Sequence, residues 1–178
     1  MFVIQYFDKF RKSALAIITA TTVSLFSSTT AMAADMSNGA DNFYQSSQVN
    51  IQKVTFKNQY NMAVVGNLVI PKDLKKWTKS PAIIIGHPMG AVKEQSSMLY
   101  AQKLAEQGFV TLAIDLPFWG ESEGQPRNAV SPDIYTEAFS SAVDYLGTRD
   151  FIDRERIGAL GICGSGSFVI SAAKIDPR

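Results

Sequence analysis

Ile157-Gly158-Ala159-Leu160-Gly161-Ile162-Cys163-Gly164-Ser165-Gly166 is the stretch that decides the fold. Ile157 to Ile162 is short and apolar, as a parallel strand buried on both faces would be. Past the glycines, Phe168, Val169, Ile170, Ala172 and Ala173 open a helix. A strand that enters a helix through such a spacing makes a sharp turn. Small residues are needed on both sides, because the central residue's backbone is strained and its neighbours pack tightly. The turn exposes one side chain. In this frame it is Cys163, with Gly161 two before it, Gly164 next, Ser165 two after and Gly166 three after. A frame centred on Ser165 is flanked by Cys163 and Ser167, with no glycine at either outer position. The glycine placement favours Cys163 over burial of a lone cysteine as a small hydrophobe.

Upstream, the apolar segments Val49 to Phe56 and Ala63 to Ile70 flank polar Lys57 to Asn61, predicting a leading antiparallel hairpin. Ala82 to Ile85 is apolar throughout and predicts a buried parallel strand. Met98, Ala101, Leu104 and Ala105 then share a helical face, with Gly108 placed for a left-handed cap. Phe109 to Ile114 is the next strand. Ser131-Pro132 starts a second helix whose inner face is Tyr135, Ala138, Phe139, Ala142, Val143 and Leu146, with Gly147 as its stop. A hairpin followed by β-α-β-α-β-α predicts an α/β fold, the N-terminal part of a doubly wound, mostly parallel sheet. Residues 48–178 form that partial domain.

Two loops leave the carboxyl ends of these strands. Gly86-His87-Pro88-Met89-Gly90 stands where an acyl-transfer site keeps backbone donors for an oxyanion. Pro88 has no N–H, so the donor is Met89 or Gly90, partnered by Gly164. Asp115-Leu116-Pro117-Phe118-Trp119-Gly120-Glu121-Ser122-Glu123-Gly124 follows the next strand. Phe118 and Trp119, with His87, are candidates to wall a substrate pocket, or else they cover the sheet.

These motifs resemble the α/β-hydrolase superfamily, and within it the dienelactone-hydrolase-like enzymes, over roughly residues 49 to 178. Their G-x-C-x-small-Gly elbow is matched by Gly161, Cys163, Ser165 and Gly166. The resemblance implies hydrolysis of esters, lactones or related acyl compounds with Cys163 as nucleophile and without cofactor. In that superfamily the triad acid and histidine follow the nucleophile. The only histidine here, His87, precedes it, so the chain is expected to be an N-terminal portion with negligible turnover. Two other readings stay open: a non-catalytic binding protein on a shortened scaffold, and a serine esterase or peptidase using Ser165.

The N-terminus reads as an address. Lys9, Arg11 and Lys12 precede the uncharged run Ala14 to Phe26, and Ala31-Met32-Ala33 offers a cleavage site. The run is shorter than the roughly 18 residues a membrane span needs. Residues 1–33 are therefore expected to be a signal peptide, 34–47 a flexible leader, and the protein periplasmic or secreted, without stable membrane association after cleavage. Lys plus Arg number 17 and Asp plus Glu 16, which offers no footprint for nucleic acid. The expected partner is a small acyl substrate. One cysteine and one histidine form no intrachain disulfide and no Cys/His metal cluster.

Overall fold

The computed structural model describes residues 44–75 and 78–178. The signal-peptide reading of 1–33 and the leader up to residue 43 lie outside the described residues. Strands β1 (Val49–Lys57) and β2 (Ala63–Pro71) form the leading hairpin, with Val49 opposite Pro71 and Lys57 opposite Ala63. Asn58 builds its turn. Its Oδ1 accepts the N–H groups of Tyr60 at 3.1 Å and Met62 at 2.8 Å, around an Asn61 at φ 60°. Then β3 (Ser80–Gly86), α1 (Ser96–Ala105), β4 (Val110–Ile114), α2 (Pro132–Gly147), β5 (Ile152–Gly161) and α3 (Ser165–Ile175) alternate. The sheet order is β1-β2-β4-β3-β5. β3 runs parallel to both β4 and β5, and β2 antiparallel to β4.

Alternation along the central strands explains why both faces are apolar. Ile84, Leu112 and Leu68 point into a core closed by Tyr135, Phe139, Phe168 and Ala172 of α2 and α3. Ile85, Ala113 and Val69 point the other way, against Met98, Ala101 and Ala105 of α1. Every residue of β4 is buried, as expected for a strand covered by helices on both sides. The α1 end follows its sequence. Gly108, at φ 94°, sends its N–H to Ala105 O while Phe109 N–H reaches Leu104 O, satisfying carbonyls the helix leaves open.

The structure departs from the sequence reading in β5 and at the Ser131 cap. β5 starts at Ile152, not Ile157: Ser80 pairs with Ile152, Asp153 to Arg156 bulge out, and the ladder resumes with Ala82 opposite Ile157. β5 is not buried on both faces; it is the sheet's edge strand, with Gly158 and Ala159 exposed. Gly147 is the stop of α2, its last helical residue, and the helix closes on bonds from Thr148 N–H to Tyr145 O and from Arg149 N–H to Leu146 O. At the α2 start, Ser131 has the extended cap backbone with Pro132 behind it, but its hydroxyl makes no cap bond.

Tyr44 to Ser47, the described end of the leader, lies against α1. Gln102 accepts Ser46 N–H on Oε1 and donates Nε2 to the Tyr44 carbonyl, both at 2.9 Å. The register sets the Gly86 end of β3 beside Ile114 and Gly161, so the loops leaving β3, β4 and β5 share one sheet edge. In open α/β sheets ligands bind at that edge.

Candidate active site

The β5–α3 junction is a tight elbow with Cys163 at its tip. Cys163 is exposed and has φ 55°, a left-handed backbone that costs a non-glycine residue about 1–3 kcal/mol. The glycines around it are required sterically. A Cβ at Gly161 would stand 2.4 Å from Gly166 N, and one at Gly164 would stand 2.4 Å from Met89 Cγ. Ser165 has a different environment. It is fully buried, and its hydroxyl donates to the His87 carbonyl. It also lies under Gly86, where a Cβ would come within 2.8 Å of Ser165 Oγ.

The loop 87–93 is held at both ends and open at its apex. At its start the His87 ring, 1% exposed, accepts Leu116 N–H on Nε2 at 3.1 Å and donates from Nδ1 to Pro88 O at 2.7 Å. Both ring nitrogens are therefore used by a neutral imidazole. Burial pushes its pKa down, outweighing the Pro88 carbonyl and the charges of Asp115 and Glu94 that favour protonation. At the apex, Gly90 turns at φ 75° and Met89 is 41% exposed, its side chain against Gly164. Among the described residues, the N–H groups of Met89, Gly90 and Gly164 make no hydrogen bond within the chain. Three donors are thus unpartnered in the elbow and in the loop whose Met89 side chain packs against Gly164.

The far end of the loop is fixed by a cluster that sequence reasoning missed. Lys93 is fully buried, and its ammonium bonds to Asp115 Oδ2 at 2.8 Å, Glu121 Oε2 at 2.7 Å and Glu94 Oε1 at 2.6 Å. Lys93 N–H also donates to Asp115 Oδ1 at 2.8 Å, and Glu121 N–H to Asp115 Oδ2 at 2.9 Å. Burial pulls Lys93 down, but its three carboxylate partners outweigh that and raise its pKa above the ordinary lysine value. Glu121 is lowered to about 2 by Lys53 and Lys93. The carboxylates of Glu94, Asp115 and Glu121 could together hold a metal ion, yet the Lys93 ammonium already bonds to all three. One signal in the sequence pointed here: opposite charges at Lys93 and Asp115, in loops leaving adjacent parallel strands on one edge.

The aromatic candidates lie deeper than a pocket wall. Phe118, at φ 74°, is 8% exposed and fills the space above Gly124, where a Cβ would meet its Cδ1 at 2.3 Å. Trp119 is half-buried, its Nε1 donating to Tyr135 OH at 2.6 Å and Ala129 O at 3.1 Å. His87 and Phe118 are both interior, so of the three only Trp119 is partly open to solvent. A groove of about 350 Å³ between α2, α3 and β5, lined by Val143, Ile157 and Val169, borders the free edge of β5 and does not include the elbow tip.

Comparison with known proteins bears on the family and the fold. The profile of the dienelactone hydrolase family matches residues 65–178. The uncharacterized protein PA2218 of Pseudomonas aeruginosa is 52% identical over 136 residues, 76% of this chain and 36% of that protein. Its crystal structure superposes with a TM-score of 0.74 at 51% identity, covering 78% of this chain and 43% of that one. The uncharacterized protein YcjY of Escherichia coli K12 is 44% identical over 128 residues, 71% of this chain and 42% of its own. The thiohydrolase aneE of Aspergillus aculeatus is 38% identical over 98 residues, 55% of this chain and 31% of its own. The chain thus spans between 31% and 42% of the length of these curated relatives. Among the described residues, no helix is long and apolar enough to cross a membrane.

Proposed function

The chain belongs to the dienelactone hydrolase family, and from that premise we propose that it serves hydrolysis of ester, lactone or related acyl bonds through Cys163. The observation that carries the reading is the exposed Cys163 at φ 55° on the β5–α3 elbow, with the Met89 side chain packed against Gly164 and the N–H groups of Met89, Gly90 and Gly164 unpartnered. Sγ attacks the acyl carbon as a thiolate, its proton having passed to solvent or base. The carbonyl electrons move onto oxygen, and that oxyanion is received by Gly164 N–H with Met89 or Gly90 N–H. Collapse expels the alcohol or thiol and leaves a thioester on Cys163, which water then cleaves.

The second half of that cycle needs a base. The one imidazole in the 178 residues, His87, has both nitrogens engaged in holding the loop. With His87 so engaged, these 178 residues are expected to acylate with little turnover, since a nucleophile working without its base loses several orders of magnitude in rate. The name of the relative aneE, a thiohydrolase, puts thioesters beside oxygen esters in the substrate class. Ser165 is disfavoured as nucleophile because its hydroxyl is buried and spent on the His87 carbonyl. We also propose export with cleavage behind Ala33, on the strength of Ala31-Met32-Ala33 after the uncharged run Ala14 to Phe26, so exported material should begin at Ala34 on N-terminal sequencing.

The test is p-nitrophenyl acetate with mass analysis of the chain. Expected is up to one equivalent of p-nitrophenolate with the acetyl group on Cys163, lost in Cys163→Ala and, in Ser165→Ala, still formed on Cys163 but more slowly because the bond to the His87 carbonyl is gone. Acylation that survives Cys163→Ala and vanishes in Ser165→Ala would reverse the assignment.

A further inference from the structure

We propose that Lys93 is a positioning residue for the donor loop: its buried ion pair with Asp115 holds the Met89-Gly90 apex against the elbow. The proposal rests on the reading of Cys163 as the acyl acceptor and of Met89, Gly90 and Gly164 as oxyanion donors. The apex makes few bonds of its own, and Ala91 N–H to Pro88 O, at 3.1 Å, only closes it locally. Its place relative to Gly164 is set by what grips the loop at its two ends. At the near end the His87 carbonyl receives the Ser165 hydroxyl of the elbow and the His87 ring receives Leu116 N–H, and at the far end Lys93 holds Asp115. The ring and Lys93 bonds end on adjacent residues, Asp115 and Leu116, where β4 gives way to its loop. The 87–93 loop is thus stapled at two points to one rigid strand end, with the donors between the staples.

The second staple is over-determined in a way that a surface ion pair is not. Asp115 is fully buried and receives three hydrogen bonds, from Lys93 N–H, Lys93 Nζ and Glu121 N–H. Gly120 leaves room for that carboxylate: at φ 51°, a Cβ there would stand 2.2 Å from Asp115 Oδ2. The Asp115 loop is itself fastened. Ser122 Oγ accepts Val65 N–H at 2.9 Å and donates to Asp115 O at 2.7 Å, and Arg127 Nη2 reaches Gly120 O at 2.7 Å. A carboxylate held from so many sides gives Lys93 a fixed partner. Removing the pair frees the far end of the loop, and donors misplaced by about 1 Å cost on the order of 100-fold in rate.

The role is testable because only one of two reactions of the same thiol uses the donors. Attack on p-nitrophenyl acetate passes through an oxyanion and releases p-nitrophenolate. Alkylation by iodoacetamide displaces iodide from carbon and forms no oxyanion. With the purified full chain, Lys93→Met is expected to slow acylation of Cys163 by about 10- to 100-fold, while the alkylation rate stays within about twofold. General unfolding would instead speed alkylation by exposing the thiol further. Should Lys93→Met fail to fold around a lone buried Asp115, the double variant Lys93→Met with Asp115→Asn removes both charges and must show the same selective loss. A wild-type chain that alkylates but never acylates overturns the acyl-acceptor reading and this one with it. A wild type that acylates, with variants whose two rates are both unchanged or fall together, overturns the positioning role alone.

Discussion

Replacing Gly161 by alanine should dislocate the elbow while the sheet around it survives. An added Cβ stands 2.4 Å from Gly166 N and equally close to the carbonyl carbon and oxygen of Ser165. All three are backbone atoms of the first turn of α3, so no side chain can rotate away, and the start of the helix must shift by several tenths of an ångström. That shift strains the bonds from Gly166 N–H to Cys163 O, 3.0 Å, and from Ser165 N–H to Ile162 O, 3.2 Å. Overpacking of this kind costs about 1–3 kcal/mol, and weakening two backbone bonds adds up to about 1 kcal/mol each. A loss of about 3 kcal/mol, or roughly 10 °C in Tm, is the expected sum. Gly158 is the internal control, on the same strand with nothing within 4 Å of its added Cβ. Gly158→Ala should stay within about 0.5 kcal/mol of wild type. Urea and thermal melts of both variants, followed by circular dichroism, with the iodoacetamide rate of Cys163 alongside, decide the matter. If Gly161→Ala melts within about 2 °C of Gly158→Ala and its thiol reacts at the same rate, the packing argument for the elbow is wrong.

The strain at φ 55° gives a second expectation: Cys163→Gly should be more stable than Cys163→Ala by about 1 kcal/mol in urea melts, since glycine alone relaxes there. Equal midpoints would show that the residue is not strained. His87 predicts a pH dependence with a definite sign. Burial holds its folded pKa below 6.5, so the unfolded chain takes up the proton first. Its contribution is fully present above about pH 6.5 and lost as pH falls from there through the lower folded value. Urea melts between pH 7.5 and 5 should show that decline in wild type and a flatter one in His87→Gln; a steeper one in the variant refutes the assignment. Finally, the free edge of β5 exposes Gly158 and Ala159 on an apolar strand, so the chain should associate with rising concentration. Ala159→Lys should suppress this in light scattering, and an unchanged concentration dependence would acquit that edge.

What could be read from the sequence was local. The elbow was legible because its spacing is local, with Gly161 answering the backbone of Ser165 and Gly166, whereas the partners of Gly164 and Ser165, Met89 and His87, lie far off in sequence. The central strands were legible because burial on both faces leaves an unbroken apolar run. The start of β5 was hidden because Asp153 to Arg156 bulge out of the ladder, so its one early pair, Ser80 with Ile152, leaves no period. The end of α2 was legible at Gly147, its last helical residue. The Lys93 cluster was missed for another reason, although the opposite charges of Lys93 and Asp115 stood in the sequence. It joins residues 22 and 28 positions apart, and a buried lysine is rare enough that a charge in a loop reads as a solvated one.

His87 shows why the single histidine is better understood as architecture than as a base. Its carbonyl receives the Ser165 hydroxyl from the elbow, its Nε2 receives Leu116 N–H from the end of β4, and its own backbone continues β3. Three strand ends therefore meet on one residue. Ser165 must be small because Gly86 and Phe139 leave no room above it, and its hydroxyl is well used because it satisfies a carbonyl beside that crowding. The serine two residues past Cys163 and the histidine after β3 are thus two halves of one contact. That contact brings the donor loop to the elbow, and Lys93 keeps the other end of the same loop from swinging away. A protonated imidazole would lose its Leu116 bond, so the neutral form that holds the loop cannot also shuttle a proton for the thiol.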